Sequence, residues 1–342
     1  MYLLGLVVLL TGCEPREAGP RVLRISGQTM GTQYTMTVVD PPETLTEQQL
    51  KRPIDRRLQQ LELRFSTYDP SSDLSLVNEE PTIQWIDVPP ELAAVLGEAM
   101  LAARHTEGAY DPTVGPLVNL WDFGPGAKSP PEPPTDEQIA ETLKNVGLKC
   151  VDVQFDPPAV RKSAPEVYID LSGIVKGYAA DELSRLLVEL GLGNHMVNIG
   201  GEVKTSGTNP RGTPWQIAIE RPEPGPRRPY RTIELSGMAL ATSGNYRNYF
   251  EMSGRRVSHI IDPRTGRPVE HQVVSASVIH HSCMRADALA TALMVLGPKD
   301  AMEMAADQEL AVMLVLEEEG KYRDLITPEF QQYLPGKEKS EQ

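Results

Sequence analysis

The amino-acid sequence predicts an α+β fold, built from antiparallel strands with a small number of helices. Short runs typical of strands are interleaved with a few apolar patterns of helical spacing. Several strand runs are joined by turns of hairpin length, which favours antiparallel pairing over a doubly wound sheet. No repeat period runs along the 342 residues, so one large domain or two modest domains are expected.

The first half of the chain is predicted to alternate strands with helices and loops. The run TQYTMTVVD follows a turn-like QTMG segment, as in a hairpin. Apolar residues at helical spacing predict the first helix, and a glycine at 108 ends the second. Residues 108–126 show neither the apolar period of a helix nor that of a strand. The expected elements are strands at 22–27, 32–40, 150–155 and 166–170, helices at 46–65, 91–106 and 136–147, a loop at 65–78 and a Pro-rich excursion at 126–135.

The second half is predicted to be richer in strands. A Gly-containing turn leads into an amphipathic helix over 170–193, and a Gly-Gly turn joins the next two strands within 196–207. A loop is expected at 221–231 and a turn at 262–266. The remaining expected strands are at 215–222, 231–236, 245–252, 255–262, 273–280 and 310–318.

The net charge of the chain is −14, which argues against nucleic-acid binding because that function requires a basic face. The three cysteines cannot form a disulfide framework. Cys150 and Cys283 are interpreted as separate buried thiols, and a single bridge between them is the alternative.

The N-terminus, MYLLGLVVLLTGC, holds an apolar run that is too short to span a bilayer and is typical of a secretory signal. Its LTGC ending resembles a bacterial lipoprotein signal, in which Cys13 is acylated and becomes the new N-terminus. No Lys or Arg precedes the run, which departs from that pattern, and a buried N-terminal segment is the alternative. The predicted division is a signal over 1–13, a tether over 14–21, a main domain over 22–335 and a polar tail over 336–342.

The segment RADALATALMVLGP, residues 285–298, places a carboxylate and a hydroxyl on one face of an apolar helix. Asp287 and Thr291 are four residues apart, and the helix is expected to end at Gly297. A buried carboxylate requires a cation or hydrogen-bond donors. Oxygen ligands suit Mg²⁺, which would also need an anionic ligand at so small a site. Alternatively, Asp287 caps the helix and Thr291 bonds back to a carbonyl.

Three weaker patterns could also contribute to a site. The backbone amides of residues 170–177 could cradle a phosphate with Lys176 as the counter-charge, although an ordinary strand-to-helix turn has the same pattern. His259 is a lone histidine, and lone histidines are more often structural than catalytic. Four aromatic residues could stack on a flat ring or simply pack in the core: Tyr68, Tyr110, Trp121 and Phe123.

Eight segments, taken together and in chain order, resemble the ApbE family of FAD:protein FMN transferases. Each is modest by itself, but the ordered series is highly specific and covers nearly the whole chain after the tether. The segments are MGT from Met30, FSTY from Phe65, GAYDPTVGPL from Gly108, DLSGIVKGYA from Asp170, NIGGE from Asn198, ATSGNY from Ala241, SHIIDPRTG from Ser258 and ADALATAL from Ala286.

The resemblance implies an enzyme of two lobes, of mixed and antiparallel sheets with helices, that binds FAD with Mg²⁺ in the cleft between them. The hydroxyl of a Thr or Ser on a target protein attacks the FMN-side phosphorus, AMP leaves, and FMN remains attached through a phosphoester. The implied partners are FAD and an acceptor flavoprotein subunit of a membrane electron-transport complex. The implied location is the periplasmic face of the bacterial inner membrane, with a lipid anchor through Cys13.

The resemblance also implies roles for individual residues. Asp287 and Thr291 match metal ligands, and the backbone carbonyl of Gly173 matches a third. Ala290 departs from the relatives that carry a second carboxylate there, and Tyr110 stands where some relatives have Phe. The residues that match FAD contacts are Met30, Tyr68, Ala109, Tyr110, Asp111, Asp170, Lys176 and Ile261.

His259 is the candidate general base, because the acceptor hydroxyl needs one within hydrogen-bond reach. Alternatively, His259 orients the turn at Asp262. Two other functions remain open for the whole chain. One is an Mg²⁺-dependent FAD pyrophosphatase that releases FMN and AMP, and the other is a non-catalytic FAD-binding lipoprotein.

Overall fold

The computed structural model describes residues 19–124, 132–247, 249–252 and 255–336, and its α+β architecture confirms the predicted fold class. The predicted signal with Cys13, most of the tether, nearly all of the polar tail and residues 126–131 of the Pro-rich excursion lie outside this range. Within the described range, no helix is both long enough and apolar enough to cross a membrane.

Most helices lie in the first half of the described chain, and most strands lie in the second half. The strands are β1 (Val22–Thr29), β2 (Thr32–Val39), β3 (Ile86–Asp87), β4 (Val151–Phe155), β5 (Pro158–Lys162), β6 (His195–Ile199), β7 (Glu202–Ser206), β8 (Trp215–Glu220), β9 (Pro229–Leu235), β10 (Ala239–Gly244), β11 (Tyr249–Met252), β12 (Arg255–Ser258), β13 (Ile261–Asp262), β14 (Arg267–Pro268), β15 (Val273–His280), β16 (Ala311–Glu318) and β17 (Lys321–Ile326). The helices are α1 (Glu47–Phe65), α2 (Asp73–Glu79), α3 (Pro90–His105), α4 (Gly115–Leu120), α5 (Asp136–Thr142), α6 (Ser172–Glu189), α7 (Cys283–Asp307) and α8 (Pro328–Gln331).

The central element is an eight-stranded sheet in the order β1-β2-β6-β7-β10-β15-β16-β17. Every neighbouring pair in this sheet is antiparallel. The strand order therefore follows the chain order, and the other elements are insertions between consecutive strands. The largest insertion, residues 40–194, carries α1 to α6 and the small sheet β3-β5-β4.

Helices α6 and α7 pack on one face of the central sheet, and the β8–β9 hairpin with α8 covers the other face. Strand β16 shows why both faces are buried. Alternate residues of its apolar run belong to opposite cores, with Val312 and Leu314 on the helix side and Met313 and Val315 on the hairpin side. A continuous apolar run such as LAVMLVL is the pattern expected of a strand covered on both faces.

Helices α6 and α7 contact each other closely at Gly177, where a side chain would not fit. A Cβ at this position would lie 2.3 Å from the carbonyl oxygen of Cys283. The first turn of α7 is held by Asp181 of α6, whose carboxylate accepts hydrogen bonds from the amides of Cys283 and Met284. These contacts fix the helix that carries Asp287 and Thr291 against the helix that follows Asp170.

Helix α7 is interrupted where the sequence predicts its end. Gly297 has φ 76° and ψ 177°, which is outside the helical region and is accessible to glycine without strain. A ring nitrogen of His271 lies 2.8 Å from the carbonyl oxygen of Met294, in the last turn before this break. Pro298 then begins a second helical segment, and the two segments together form α7.

The strand predicted over 166–170 is absent from the sheets. This segment is extended, but its backbone is bound by a side chain in place of a neighbouring strand. The amide of Asn78 donates to the carbonyl oxygen of Ile169 at 2.9 Å and accepts from the Ile169 N–H at 2.7 Å. The buried ammonium of Lys162 donates to the carbonyl oxygens of Asn78 and Pro165. The extended segment therefore satisfies its polar groups without sheet pairing.

Several other sequence-based boundaries are corrected by the structure. The predicted loop over 65–78 contains α2, because Ser72 caps its first turn and Leu74 and Val77 are buried. The helix predicted over 136–147 ends at Thr142, and a 3₁₀ turn follows it. The strand predicted over 255–262 is split in two by His259 and Ile260. Strands that were not predicted from the sequence are β5, β10 and β17, together with the two-residue strands β3 and β14.

Cys150 and Cys283 are both buried and both are free thiols. The interpretation as separate thiols is therefore confirmed, and the alternative of a bridge is wrong.

Candidate active site

All twelve residues that were assigned a metal-binding, FAD-binding or catalytic role from the sequence line one cavity of about 540 Å³, as does Phe123 but not Trp121. Its walls come from distant parts of the chain, including the β1–β2 turn, the start of α6, the middle of α7 and the segment between β12 and β14. These residues are therefore brought together in space, and their individual roles remain predictions. The twelve residues are Met30, Tyr68, Ala109, Tyr110, Asp111, Asp170, Gly173, Lys176, His259, Ile261, Asp287 and Thr291.

Asp287 lies at the floor of the cavity, and only 2% of its surface is exposed. Its Oδ2 accepts a hydrogen bond from the backbone N–H of Gly177 at 3.0 Å. Its Oδ1 is 3.9 Å from the ammonium nitrogen of Lys176, which is beyond hydrogen-bond distance. Burial raises the pKa of the Asp287 carboxyl to about 7, against the attraction of the Lys176 ammonium. A cation bound at Oδ1 would stabilise the charged form.

Lys176 and Glu202 form an ion pair beside Asp287. The ammonium of Lys176 donates to Oε1 of Glu202 at 2.7 Å. Burial would lower the pKa of Lys176, but the carboxylates of Asp287 and Glu202 outweigh it and raise that pKa. Glu202 follows the Gly200-Gly201 turn at the start of β7, and its Oε2 is buried without a hydrogen-bond partner.

Thr291, one helical turn after Asp287, faces the start of α6. A Cβ at Gly173 would lie 3.1 Å from Oγ1 of Thr291 and 3.2 Å from Cε2 of Tyr110, so the backbone at Gly173 is in direct contact with both side chains. The hydroxyl of Ser243 lies 3.3 Å from the same Oγ1. A carboxylate, a hydroxyl and a backbone segment therefore meet at one end of the cavity.

This oxygen-rich end fits a hard divalent cation. Among the described residues, no three His, Cys, Asp or Glu side chains converge as a self-sufficient metal site would require. Asp287 would supply one carboxylate, Thr291 a hydroxyl and Gly173 a carbonyl, and a phosphorylated ligand would complete the coordination. The buried Oη of Tyr110 and Oε2 of Glu202 have no hydrogen-bond partner, so a bound ligand or an ordered water molecule would satisfy them.

Tyr110 and its neighbour Asp111 form the wall opposite α7. Burial, together with the carboxylates of Asp287, Asp170 and Asp111, raises the pKa of the Tyr110 phenol well above its ordinary value, so the hydroxyl remains protonated. Burial also raises the pKa of Asp111, although Oδ1 of this residue accepts hydrogen bonds from the amide and the hydroxyl of Thr113. Asp170 is tied to the same wall, since its N–H donates to the carbonyl oxygen of Pro112 at 2.7 Å.

Met30 reaches the cavity from the two-residue turn between β1 and β2. Both turn residues have positive φ, 48° for Met30 and 69° for Gly31, as a tight hairpin turn requires. Oε1 of Glu62 on α1 accepts hydrogen bonds from the Met30 N–H at 2.7 Å and from the hydroxyl of Thr29 at 2.8 Å. Glu62 thereby holds the turn in a conformation that a methionine rarely adopts.

Tyr68 lies at the mouth of the cavity, with 73% of its surface exposed. It also lines an adjoining cavity of about 600 Å³ that shares Met30, Asp170 and Lys176 with the first. An aromatic ring exposed to this extent is not held by core packing, so it is available to stack on a flat ligand. The shared lining residues place the two cavities side by side.

His259 and Ile261 belong to the segment between β12 and β14. The His259 ring packs edge to face against Phe123, with 6.3 Å between ring centroids. Ile261 is buried in a small separate core with Leu117 and Trp121. The indole N–H of Trp121 donates to the carbonyl oxygen of Gly266 at 2.8 Å, so the turn after His259 is anchored independently of the central sheet.

Several polar residues of the two cavities were not assigned a role from the sequence, among them Glu62, Glu202 and Ser243. Glu202 and Ser243 belong to the NIGGE and ATSGNY segments, so the motif series placed them near the site without giving them a role. Glu62 lies inside an amphipathic helix, where a single acidic residue is not distinctive.

Comparison with known proteins gives one consistent family. Residues 30–314 match the family model described as the ApbE family. The FAD:protein FMN transferase of Vibrio cholerae is 40% identical over 332 residues, which is 97% of each chain. The FAD:protein FMN transferase of Escherichia coli K12 is 36% identical over 341 residues, covering 97% of this chain and 96% of that protein. The solved structure of the flavin transferase ApbE from Vibrio cholerae superposes with a TM-score of 0.83 at 37% identity, covering 92% of this chain and all of that one.

Proposed function

The chain belongs to the ApbE family, and from this premise we propose that it is an FAD:protein FMN transferase. The reaction transfers FMN from FAD to a Thr or Ser hydroxyl of a target flavoprotein. A phosphoester bond forms between the acceptor oxygen and the FMN phosphorus, the pyrophosphate bond breaks, and AMP leaves with the bridging oxygen. The observation that supports this function best is the convergence of all twelve motif residues on one cavity.

The proposed cation is Mg²⁺, held by Asp287, Thr291 and the carbonyl of Gly173. A bound Mg²⁺ supplies Lewis-acid stabilisation of the charge that develops on the pyrophosphate oxygens. The protein contributes rigidity, since the Gly177 amide fixes one Asp287 oxygen and leaves the other directed to the cavity. Lys176 adds a positive charge beside the position of the phosphates.

His259 is the proposed general base. Its ring lines the cavity, and the anchored turn that follows it limits its movement. It would accept the proton of the acceptor hydroxyl as the new phosphoester forms. Tyr68, at the mouth of the cavity, is proposed to stack on a flat ring of FAD.

An FAD pyrophosphatase is the second candidate, because the exposed position of Tyr68 leaves the cavity open to water as well as to an acceptor. Water in place of the acceptor hydroxyl would give free FMN and AMP. The same cation site would serve both reactions, so product analysis must distinguish them.

The test is incubation of the full-length chain with FAD, Mg²⁺ and a candidate flavoprotein acceptor, followed by intact-mass measurement of that acceptor. The expected result is the added mass of FMN on the acceptor, with loss of transfer on addition of EDTA or in Asp287→Asn. The matched control is Asp307→Asn, an exposed carboxylate on the same helix, which is expected to keep full transfer. Free FMN and AMP beside an unmodified acceptor would support the pyrophosphatase, and unchanged FAD would contradict both reactions.

We further propose that the protein is lipid-anchored through Cys13 at the periplasmic face of the inner membrane and acts on a flavoprotein subunit of a membrane electron-transport complex. The LTGC sequence and the polar tether after it support the anchor. Mass spectrometry of the N-terminal peptide from the membrane fraction tests it, with Cys13→Ala as the control. An unmodified N-terminus that starts at Met1 would contradict the anchor.

A further inference from the structure

Three charged side chains meet at the floor of the cavity, and they are not equally paired. Lys176 is 2.7 Å from Glu202 but 3.9 Å from Asp287. Its ammonium therefore makes a hydrogen bond to Glu202 and none to Asp287. The Glu202 and Asp287 side chains are almost completely buried, at 3% and 2% exposure, so their charges interact strongly.

We propose that Glu202 is a positioning residue that holds the Lys176 ammonium away from Asp287, so that Oδ1 of Asp287 remains free to bind the divalent cation. This inference rests on the proposed function, because it assumes that Asp287 is a metal ligand. It assigns to Glu202 a role in metal affinity without direct contact with the metal.

The physical basis is competition between two cations for one carboxylate. Lys176 is on a flexible four-carbon stem, and a movement of about 1 Å would bring its ammonium into hydrogen-bond distance of Oδ1. The other oxygen of Asp287 is already bound to Gly177. An ammonium bound at Oδ1 would therefore compete directly with a metal ion for the carboxylate oxygen that Gly177 does not bind.

Glu202 is well placed to prevent this movement. It is the first residue of β7, it follows two glycines with positive φ, and it is anchored in the central sheet through pairing of β7 with β6. A Cβ at Gly200 would lie 3.4 Å from Oε2 of Glu202, so this tight turn packs directly on the carboxylate. The backbone at the base of Glu202 is therefore rigid, while the stem of Lys176 is not.

A simpler explanation makes a different prediction. Glu202 could favour a metal ion only through its negative charge, wherever Lys176 lies. In that case removal of Glu202 would weaken metal binding by the same factor with or without Lys176. If Glu202 acts by positioning Lys176, its removal matters only when Lys176 is present, and the two substitutions are strongly coupled.

The experiment is a double-mutant cycle on the full-length chain, with Mn²⁺ as the probe and free Mn²⁺ measured by electron paramagnetic resonance in the absence of an acceptor. The four proteins are wild type, Glu202→Gln, Lys176→Met and the double variant. Loss of a residue that orients a metal ligand typically weakens metal affinity by about tenfold or more. We expect that loss in Glu202→Gln, and in the double variant an affinity within about threefold of Lys176→Met alone.

Equal Mn²⁺ affinity of Glu202→Gln and wild type would overturn the inference. It would also be overturned if Glu202→Gln weakened Mn²⁺ binding by the same factor in the Lys176→Met background as in the wild type. Glu202→Asp provides a second measurement if Glu202→Gln does not fold. This variant keeps the negative charge, but its side chain is too short to hold the ammonium. If Glu202 acts by positioning, Mn²⁺ binding should become weaker, and if it acts only through its charge, Mn²⁺ affinity should not change. Wild-type binding that is unchanged by Asp287→Asn would instead overturn the proposed metal site itself.

Discussion

The Oδ2 atom of Asp287 accepts a hydrogen bond from the backbone N–H of Gly177 at 3.0 Å, which joins α7 to α6 directly beneath the cavity. This bond forms where the two helices approach most closely. It links the proposed metal ligand to the backbone of the helix that carries Lys176, so the geometry of the site depends on close helix packing as well as on the ligand residues.

Gly177→Ala is expected to lower the free energy of unfolding by about 2 kcal/mol and to weaken Mn²⁺ binding. The added Cβ would lie 2.3 Å from the Cys283 carbonyl oxygen and 2.9 Å from Cβ of Asp287, so the helices must separate. Urea unfolding and Mn²⁺ titration measure the two effects. Gly193→Ala is the control, since a Cβ there has no atom within 4 Å. Equal stability of the two variants would contradict the prediction.

Tyr110→Phe is expected to raise the free energy of unfolding by about 1 kcal/mol in the ligand-free protein, because the buried hydroxyl has no hydrogen-bond partner. Urea unfolding measures the change. Tyr34→Phe is the matched control and is expected to lower the free energy of unfolding. Tyr34 is also buried, but its hydroxyl is hydrogen-bonded to Asp55 and Lys51. A loss of stability in Tyr110→Phe comparable to that in Tyr34→Phe would show that the Tyr110 hydroxyl is satisfied.

Tyr68→Ala is expected to weaken FAD binding by roughly fivefold, which corresponds to about 1 kcal/mol of lost stacking. The free energy of unfolding should not change, because the ring is largely exposed. Quenching of flavin fluorescence measures the affinity, and Tyr68→Phe should retain it. Trp85→Ala is the control for removal of an exposed aromatic ring that does not line the cavity. Similar losses in Tyr68→Ala and Trp85→Ala would exclude a specific stacking role.

His195 is expected to make the protein less stable in acid. Its ring nitrogens lie 2.7 Å from the Leu192 carbonyl oxygen and 2.7 Å from the Ser184 hydroxyl, and burial lowers its pKa below 6.5. The unfolded chain therefore binds a proton more readily, and the stability present above pH 6.5 is lost as the pH falls through the folded-state pKa.

The measurement is the free energy of unfolding as a function of pH below 6.5. His195→Gln should reduce the slope by up to about 1.4 kcal/mol per pH unit, with part of the slope remaining because burial also lowers the pKa of His271 and His280. His105→Gln, a substitution of an exposed side chain, should leave the slope as in the wild type. An unchanged slope in His195→Gln would contradict the prediction.

The sequence pointed to one site because eight modest motifs occur in a fixed order, and the residues drawn from them line one cavity. The pairing of Lys176 with Glu202 could not be predicted from the sequence. These residues are 26 positions apart, and their contact depends on how a helix and a strand pack together. The same limit applies to Glu62, which reaches a turn 32 residues before it. The spacing of residues along the chain predicts which side chains share one face of a helix or strand. It does not predict which other element packs against that face.

The fold class and the longest elements could also be predicted, because their apolar periodicity is strong. Strand β10 was missed although it is central in the sheet. Its sequence, ALATSG, lacks the β-branched and aromatic run typical of strands, because α7 packs closely upon it and leaves room only for small side chains. The extended segment at 166–170 was mistaken for a strand because Asn78 supplies the hydrogen bonds that a neighbouring strand would make.

The order of strands in the central sheet has a consequence for the protein during its synthesis. Each strand pairs with the strand of that sheet that precedes it in the chain, so every strand leaves the ribosome after its template. The sheet can therefore grow from one edge in the order in which the strands reach the compartment where the protein folds. The helix with Asp287 and Thr291 emerges only after six of the eight strands. The chain thus presents most of its sheet strands before the helix that carries its proposed metal ligands.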